Sequence, residues 1–186
     1  MLILPRPNCF APARWLVCLD LQREYVVPGR PRYAPTHTGV VLACRQVLDA
    51  ARAGGWRVVH SQMRDDSLGP STREMFGAPI EGLRPRVTEP VFFRRELSAF
   101  ANPAFAAELR GALGAEVFLI GFCLADTCLA TALAAVDAGL ELTLVEDAVG
   151  SGPTEGLVDA ARSLLRPFVR IRPSSQLPAR DLEVVS

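Results

Sequence analysis

The chain of 186 residues is 49% hydrophobic and 22% charged, which fits one folded domain with a substantial core. Its twenty basic residues balance its twenty acidic residues, and no basic block appears. The pattern therefore gives no support for binding to nucleic acid or to an anionic membrane surface. Every basic residue is an arginine, so a mechanism that needs a lysine is excluded.

Neither a membrane span nor a leader is indicated by the sequence. No apolar run reaches the ~20 residues that a transmembrane helix needs, and residues 1–12 lack the regions of a signal peptide. The five cysteines are odd in number and have no CxxC spacing, which favours reduced thiols over a disulfide framework or a zinc site. We therefore expect a cytoplasmic protein.

The first half of the chain predicts two strands around one helix. Residues 15–21 form a nearly continuous apolar run with Asp20 near its end, which is typical of a buried parallel strand. Residues 36–52 place apolar side chains at helical spacing, and residues 56–61 have the β-branched centre of a second strand. The segment 62–90, rich in Gly, Pro and Arg, predicts a long loop that is functional or carries a short helix.

The second half alternates strands and helices more regularly. Strands are predicted at 91–94, 116–121, 140–146 and 168–171, and helices at 102–114, 127–138 and 154–165. This alternation predicts a single three-layer α/β domain over residues 1–186 with a mostly parallel sheet. Residues 1–12 and 173–186 are expected to be arms. Ligands of such sheets bind at the carboxyl ends of the strands.

Polar residues follow three of the predicted strands. Asp20 ends the first strand, Arg94 ends the third, and Thr127 and Cys128 come shortly after the fourth. An acid, a cation and a hydroxyl or thiol at a helix N-terminus can supply proton transfer, charge stabilisation and a nucleophile. The alternative is that Asp20 and Arg94 form a structural ion pair.

These residues lie in segments that resemble the isochorismatase-like hydrolases, which include nicotinamidases, N-carbamoylsarcosine amidases and other cysteine hydrolases. The segments are LVCLDLQREY at 16–25, FFRRELSAF at 92–100 and LIGFCLADTCLATALAAVDAGLELTLVEDA at 119–148. The resemblance implies a Rossmann-like domain with a six-stranded sheet in the order 3-2-1-4-5-6. It also implies Asp20 as the catalytic acid and an assembly into dimers or tetramers.

The chain departs from the family pattern at two positions. The family nucleophile lies six residues after a strand-ending glycine, so an ungapped match from Gly121 places Thr127 there and Cys128 one residue later. One residue turns a helical side chain by ~100°, so we expect Thr127 at the cleft and Cys128 towards the core. Arg94 stands at the family's lysine position, and arginine stays protonated and cannot shuttle protons.

The same resemblance guides the expected pocket. The predicted substrate-binding residues are Gln22, Tyr25, Gln62, Arg64 and Phe100. Tyr25 is expected to stack on a planar substrate, and Arg64 to pair with a substrate carboxylate.

No metal or cofactor is expected. The nicotinamidase-type Asp-x-His cluster has no counterpart in HSQMRDDS at 60–67, and Asp65 and Asp66 are interpreted as solvated loop acids. No strand is followed by a GxGxxG or phosphate-loop pattern.

Two classes of function remain open at this point. The first hypothesis is a metal-independent hydrolase of a small amide or related planar compound at Asp20, Arg94 and Thr127 or Cys128. The second is a non-catalytic relative that serves as a ligand-binding or interaction module. Vinyl-ether hydrolysis of the isochorismate type is a narrower possibility. In each case the expected partners are a small molecule and other copies of the chain.

Overall fold

Six strands and five helices form the fold in a computed structural model, which describes residues 14–152 and 155–177. The strands are β1 (Arg14–Leu19), β2 (Arg57–Met63), β3 (Val91–Arg94), β4 (Glu116–Gly121), β5 (Glu141–Val149) and β6 (Arg170–Arg172). The helices are α1 (His37–Ala53), α2 (Pro70–Gly77), α3 (Pro103–Leu109), α4 (Leu129–Asp137) and α5 (Glu155–Leu165).

The strands make one sheet in the order β3-β2-β1-β4-β5-β6. Every neighbouring pair is parallel, so the predicted α/β class and the predicted strand order are confirmed. The carboxyl ends of β1, β2, β3 and β4 consequently meet at one edge of the sheet, and the candidate site lies there.

Two apolar cores cover the two faces of this sheet because successive side chains of a strand point to opposite faces. From β1, Val17 and Leu19 pack into the core beneath α3, α4 and α5. Leu16 and Cys18 pack into the core beneath α1. The result is the predicted three-layer arrangement, in which the polar residues that follow each strand are left at the sheet edge.

Several element boundaries differ from the prediction for identifiable reasons. Strand β1 ends at Leu19 and not at residue 21, because Asp20 has a φ of 51° and leaves the ladder. Strand β2 continues to Met63 because its last residues pair with β3. Strand β5 continues to Val149, past its predicted end at residue 146, and β6 begins two residues late.

The helices agree with the prediction in one place and differ from it in another. The long segment predicted at 62–90 carries the short helix α2, which begins with Pro70, a residue suited to the first turn. The helix predicted from Thr127 is preceded by a wide π turn, Leu124–Cys128, and α4 itself begins at Leu129.

Both predicted arms fall largely outside the described residues. Of the C-terminal arm, the structure describes a short turn at Ser174–Gln176 and Leu177, which packs on the core beneath α1. Within the described ranges, no helix is long and apolar enough to cross a membrane.

Candidate active site

A carboxylate and a guanidinium face each other where β1 and β3 end. Arg94 donates from Nη1 and Nη2 to the two carboxylate oxygens of Asp20, both at 2.7 Å. Neither side chain is exposed to solvent. The geometry is the two-pronged arginine–carboxylate pairing, which fixes both groups in one plane.

Two backbone features place Asp20 at this position. Its left-handed φ turns the chain out of the sheet directly after Leu19, a conformation that aspartate tolerates better than most residues. On the neighbouring strand, Gly121 has a φ of 125°, and a Cβ there would lie 1.9 Å from the carbonyl oxygen of Leu19. Only glycine therefore allows the ends of β1 and β4 to approach this closely.

Asp20 accepts two further hydrogen bonds. The backbone N–H of Met63 donates to Oδ1 at 2.7 Å, and the hydroxyl of Tyr25 donates to Oδ2 at 3.2 Å. Burial opposes the charge of Arg94, yet its bonds to Asp20 outweigh this effect and raise the pKa of Arg94. Burial and the nearby Asp20 charge raise the pKa of Tyr25, so this phenol stays protonated and can donate.

The candidate nucleophiles lie on the π turn that precedes α4. The turn is closed by the N–H of Cys128, which donates to the carbonyl of Cys123 at 3.0 Å. Turns of this type occur frequently at functional sites. Thr127 and Cys128 are both fully buried, and Oγ1 of Thr127 has no hydrogen-bond partner among the described residues.

Cys128 packs into the core beneath α3, α4 and α5. Burial raises the pKa of its thiol well above the ordinary value, the neighbouring Cys123 and Asp20 raise it further, and Arg94 partly offsets this. A protonated thiol is a poor nucleophile. The structure thus places Cys128 in the core, within electrostatic range of Asp20 and Arg94.

A cavity of about 350 Å³ lies over the ion pair. Tyr25 and Met63 line it and bond to Asp20, while Leu97 lines it and accepts a 3.4 Å bond from Nε of Arg94. Asp20 and Arg94 are therefore one residue behind the inner wall of the cavity and not on its surface.

Only some of the predicted substrate-binding residues lie on this cavity. Gln22, Tyr25 and Arg64 line it. Gln62 is buried within β2, and Phe100 packs edge-on against Phe105 with ring centroids 5.2 Å apart. The structure therefore does not bring Gln62 and Phe100 to the cavity, because both side chains are used in packing. Thr127, predicted to lie at the cleft, is fully buried and does not line this cavity either.

The side-chain amide of Gln22 makes hydrogen bonds to the backbone. Its amide nitrogen donates to the carbonyls of Met63 at 2.9 Å and Gly77 at 3.1 Å. Its amide oxygen accepts from the N–H of Met63 at 3.1 Å. Gln22 thus holds the ends of β2 and α2 against the turn that carries Asp20.

Sequence reasoning missed three arginines of the cavity: Arg32, Arg73 and Arg95. Arg32 donates to Asp126 on the π turn at 3.1 Å and lies over the ring of Tyr25. The arginine-rich stretch around Arg32 was a usable signal. Nothing in the local pattern distinguished Arg73 from an ordinary solvated residue of an exposed helix.

Asp65 and Asp66, predicted to be solvated loop acids, also accept hydrogen bonds from neighbouring residues. Asp65 accepts from the N–H and hydroxyl of Ser67, and Asp66 accepts from Arg64 and Arg95. Within the described residues, no group of three or more His, Cys, Asp or Glu side chains is arranged to hold a metal ion.

The imidazole of His37 hydrogen-bonds to the backbone of Tyr25. Its Nδ1 lies 2.7 Å from the carbonyl oxygen of Tyr25, and since a carbonyl can only accept, Nδ1 carries the proton. Its Nε2 then accepts from the N–H of Gly152 at 3.3 Å. Burial lowers the pKa of His37, which keeps the imidazole neutral in this position.

Comparison with known proteins gives a consistent result. Residues 14–175 match the family model of the isochorismatase domain. A maleamate amidohydrolase from Pseudomonas putida is 30% identical over 155 residues, which cover 73% of this chain and 71% of that protein.

Solved structures share the fold. An isochorismatase family protein from Desulfovibrio vulgaris has a TM-score of 0.76 at 22% identity, covering 89% of this chain and 96% of that one. The N-carbamoylsarcosine amidase from Thermoplasma acidophilum has a TM-score of 0.72 at 22% identity, covering 88% and 98% of the two chains.

Proposed function

Because the chain belongs to the isochorismatase family, we propose that it hydrolyses a small amide or related planar compound at Asp20, Arg94 and Thr127. The observation that carries the proposal is the position of the Asp20–Arg94 pair directly behind the cavity wall. A buried carboxylate at the carboxyl edge of a parallel sheet, next to a cavity, is where proton transfer to a bound ligand is expected.

The proposed reaction uses a hydroxyl and a base. Oγ1 of Thr127 attacks the carbonyl carbon of the amide, and its proton passes to the carboxylate of Asp20. The C–N bond then breaks as Asp20 returns this proton to the departing amine. A water molecule attacks the resulting ester in the same way, which releases the carboxylic acid and restores Thr127. One water is consumed, and one amine and one acid are formed.

The contacts of Asp20 suggest how a substrate reaches it. The bond from Tyr25 is the longest of the four that Asp20 accepts, at 3.2 Å. Its donor is also the only one of the four that belongs to a side chain of a cavity-lining residue, because the other bonds come from Arg94 and from the backbone of Met63. A substrate that displaces the Tyr25 hydroxyl takes over one acceptor position of Oδ2, while Arg94 continues to bond to both carboxylate oxygens and stays charged.

Thr127→Val tests the role of the hydroxyl. Since Oγ1 is buried without a partner among the described residues, its removal should leave the free energy of unfolding unchanged or slightly higher. Amide hydrolysis should fall by at least about 100-fold. A variant that keeps its rate would remove Thr127 from the mechanism and leave water or Cys128 as the nucleophile.

Cys128 is tested separately by alkylation. We expect slow reaction with iodoacetamide, followed by mass spectrometry, because the thiol is buried and its pKa is raised. Cys128→Ala serves as the control for labelling at the other cysteines. Rapid and selective modification of Cys128 with parallel loss of turnover would make it the nucleophile and contradict the assignment to Thr127.

A second function is favoured by the saturation of Asp20, whose oxygens accept four bonds within the fold. Such a carboxylate fits a non-catalytic relative that binds a ligand without changing it. A screen against maleamate, nicotinamide, N-carbamoyl compounds, ureides and isochorismate distinguishes the two. Release of ammonia from an amide supports the hydrolase, and silence with measurable ligand binding supports the binding protein.

A further inference from the structure

Three guanidinium groups converge on one carboxylate at the rim of the cavity. Nε of Arg64 donates to Oδ1 of Asp66 at 3.1 Å, and Nη1 of Arg73 lies 3.3 Å from the same oxygen. Arg95 bonds to Oδ2. A single carboxylate neutralises only one of these three cations, although all of them lie against the cavity.

Arg73 is held rigidly in this group. Its Nε donates to the carbonyl of Asp65 at 3.0 Å, and its Nη2 donates to the carbonyls of Asp66 at 3.1 Å and Leu68 at 2.8 Å. The guanidinium is therefore oriented before any ligand arrives. An oriented arginine loses little conformational entropy when it binds an oxyanion.

The charges that line the cavity do not balance. Four arginines line it, namely Arg32, Arg64, Arg73 and Arg95, against the three acids Glu24, Asp65 and Asp66. The contributions of Arg32 and Glu24 are offset by partners outside the cavity, Asp126 and Arg30. The lining therefore carries an excess of one positive charge.

We propose that this cavity binds a ligand with a single carboxylate, which takes over the guanidinium groups that Asp66 engages in the structure. The inference rests on the proposed function in that this ligand would be the substrate, with its carboxylate at the arginine cluster and its amide towards Asp20. Asp66 is then a resident competitor for Arg64, Arg73 and Arg95. A volume of about 350 Å³ is at the lower end of small-molecule sites, which suits a short molecule.

Crotonate and crotonamide provide a matched pair of probes, because they share size and shape and differ in charge, and crotonate has no amide to hydrolyse. Binding is measured by ligand-observed NMR titration at low salt. We expect crotonate to bind at least about tenfold more tightly than crotonamide, with an affinity that falls as salt is added. Inorganic phosphate is titrated in parallel.

Three variants assign the effect. Arg73→Gln and Arg95→Gln should each weaken crotonate binding about five- to tenfold, and Asp66→Asn should strengthen it by a similar factor, since a competing charge is removed. Arg95 is tested besides Arg73 because its exposed side chain bonds to Asp66 and not to the loop backbone, so its replacement should not disturb the fold. Arg170→Gln, at the far edge of the sheet beside Glu141, should change nothing.

Specific outcomes overturn the inference. The inference is contradicted if crotonate and crotonamide bind with equal affinity. It is also contradicted if neither arginine variant weakens crotonate binding, or if Asp66→Asn weakens it. If phosphate binds more tightly than crotonate, with the same dependence on Arg73, the site is a phosphate site and the proposed carboxylate ligand is wrong. Crotonate binding without hydrolysis of any amide would refute the proposed function alone, whereas hydrolysis without charge-dependent binding would refute this inference alone.

Discussion

Two buried carboxylates, Asp20 and Glu89, have nearly the same partners at opposite ends of the sheet. Glu89 accepts two bonds of 2.8 Å from Arg52, one of 3.0 Å from Nε2 of His60 and one from a backbone N–H. Asp20 likewise accepts two bonds from an arginine, one from a side chain and one from a backbone N–H. Glu89 lies just before β3 at the amino end of the sheet, and Asp20 just after β1 at the carboxyl end.

What differs is the surroundings. Asp20 has a left-handed φ, and the neighbouring π turn carries a buried hydroxyl without a partner among the described residues, on Thr127. Glu89 instead connects the segment before β3 to α1 through Arg52. Burial opposes its charge, but its hydrogen bonds from Arg52 and His60 outweigh this effect and lower its pKa. An arginine–carboxylate pair is therefore weak evidence for a site by itself, and backbone strain beside an unsatisfied group is stronger evidence.

The largest expected difference between the two carboxylates is in turnover. Asp20→Asn should reduce amide hydrolysis by at least about 1,000-fold, because the proposed base is lost. Glu89→Gln should leave the rate within about twofold of wild type. Both variants should lose up to about 3 kcal/mol of unfolding free energy, since each removes the charge partner of an arginine that is fully buried (Arg94) or largely buried (Arg52). Rates and denaturant midpoints measured side by side would test this, and equal loss of turnover in both variants would end the distinction.

Replacing each arginine by lysine should give a smaller effect. Lysine makes a single-point contact, so Arg94→Lys should free one oxygen of Asp20 and raise amide hydrolysis by about tenfold, at a cost of about 1–2 kcal/mol in stability. Arg52→Lys is the matched control, with a similar loss of stability and an unchanged rate. An unchanged or lower rate in Arg94→Lys would show that Arg94 does not restrict Asp20.

The smallest expected effect concerns His37, whose ring bonds to the backbone carbonyl of Tyr25, the residue that donates to Asp20. His37 is neutral in the fold because burial lowers its pKa, so the unfolded chain binds more protons just below pH ~6.5. The stability contributed by neutral His37 is present above this pH and should fall as the pH falls below it, by at most about 1.4 kcal/mol per pH unit. Denaturation at pH 5 to 8 should show this contribution as the difference in slope between wild type and His37→Gln. Equal slopes in wild type and His37→Gln would contradict the assignment.

Much of the fold could be predicted from local sequence. The apolar runs of β1 and β4 and the glycines that end helices identified the strand and helix alternation, and the family resemblance supplied the strand order. The boundaries were wrong where tertiary contacts decide them. Met63 belongs to β2 because it pairs with β3, and Asp147 lies within β5, where it accepts from the N–H of Ser174 at 2.7 Å.

The candidate site could be predicted only in part. Asp20 and Arg94 were identified because both follow apolar strands, and the structure pairs them. Whether a polar side chain lines a cavity depends on contacts between residues far apart in the chain, as for Gln22 with Met63. Arg64 was predicted to bind a carboxylate, but its convergence with Arg73 and Arg95 on Asp66 was missed, because surface arginines carry no periodic signal and only the folded chain shows that they converge.

Gln22 couples parts of the molecule that are distant in sequence. Its amide group bonds to Met63 and Gly77, and its backbone forms a bridge to Pro79. The turn carrying Asp20, the end of β2 and the end of α2 are thus tied to one side chain. Movement of α2 away from the sheet would break these bonds together, so α2 and the turn carrying Asp20 are expected to unfold locally as one cooperative unit.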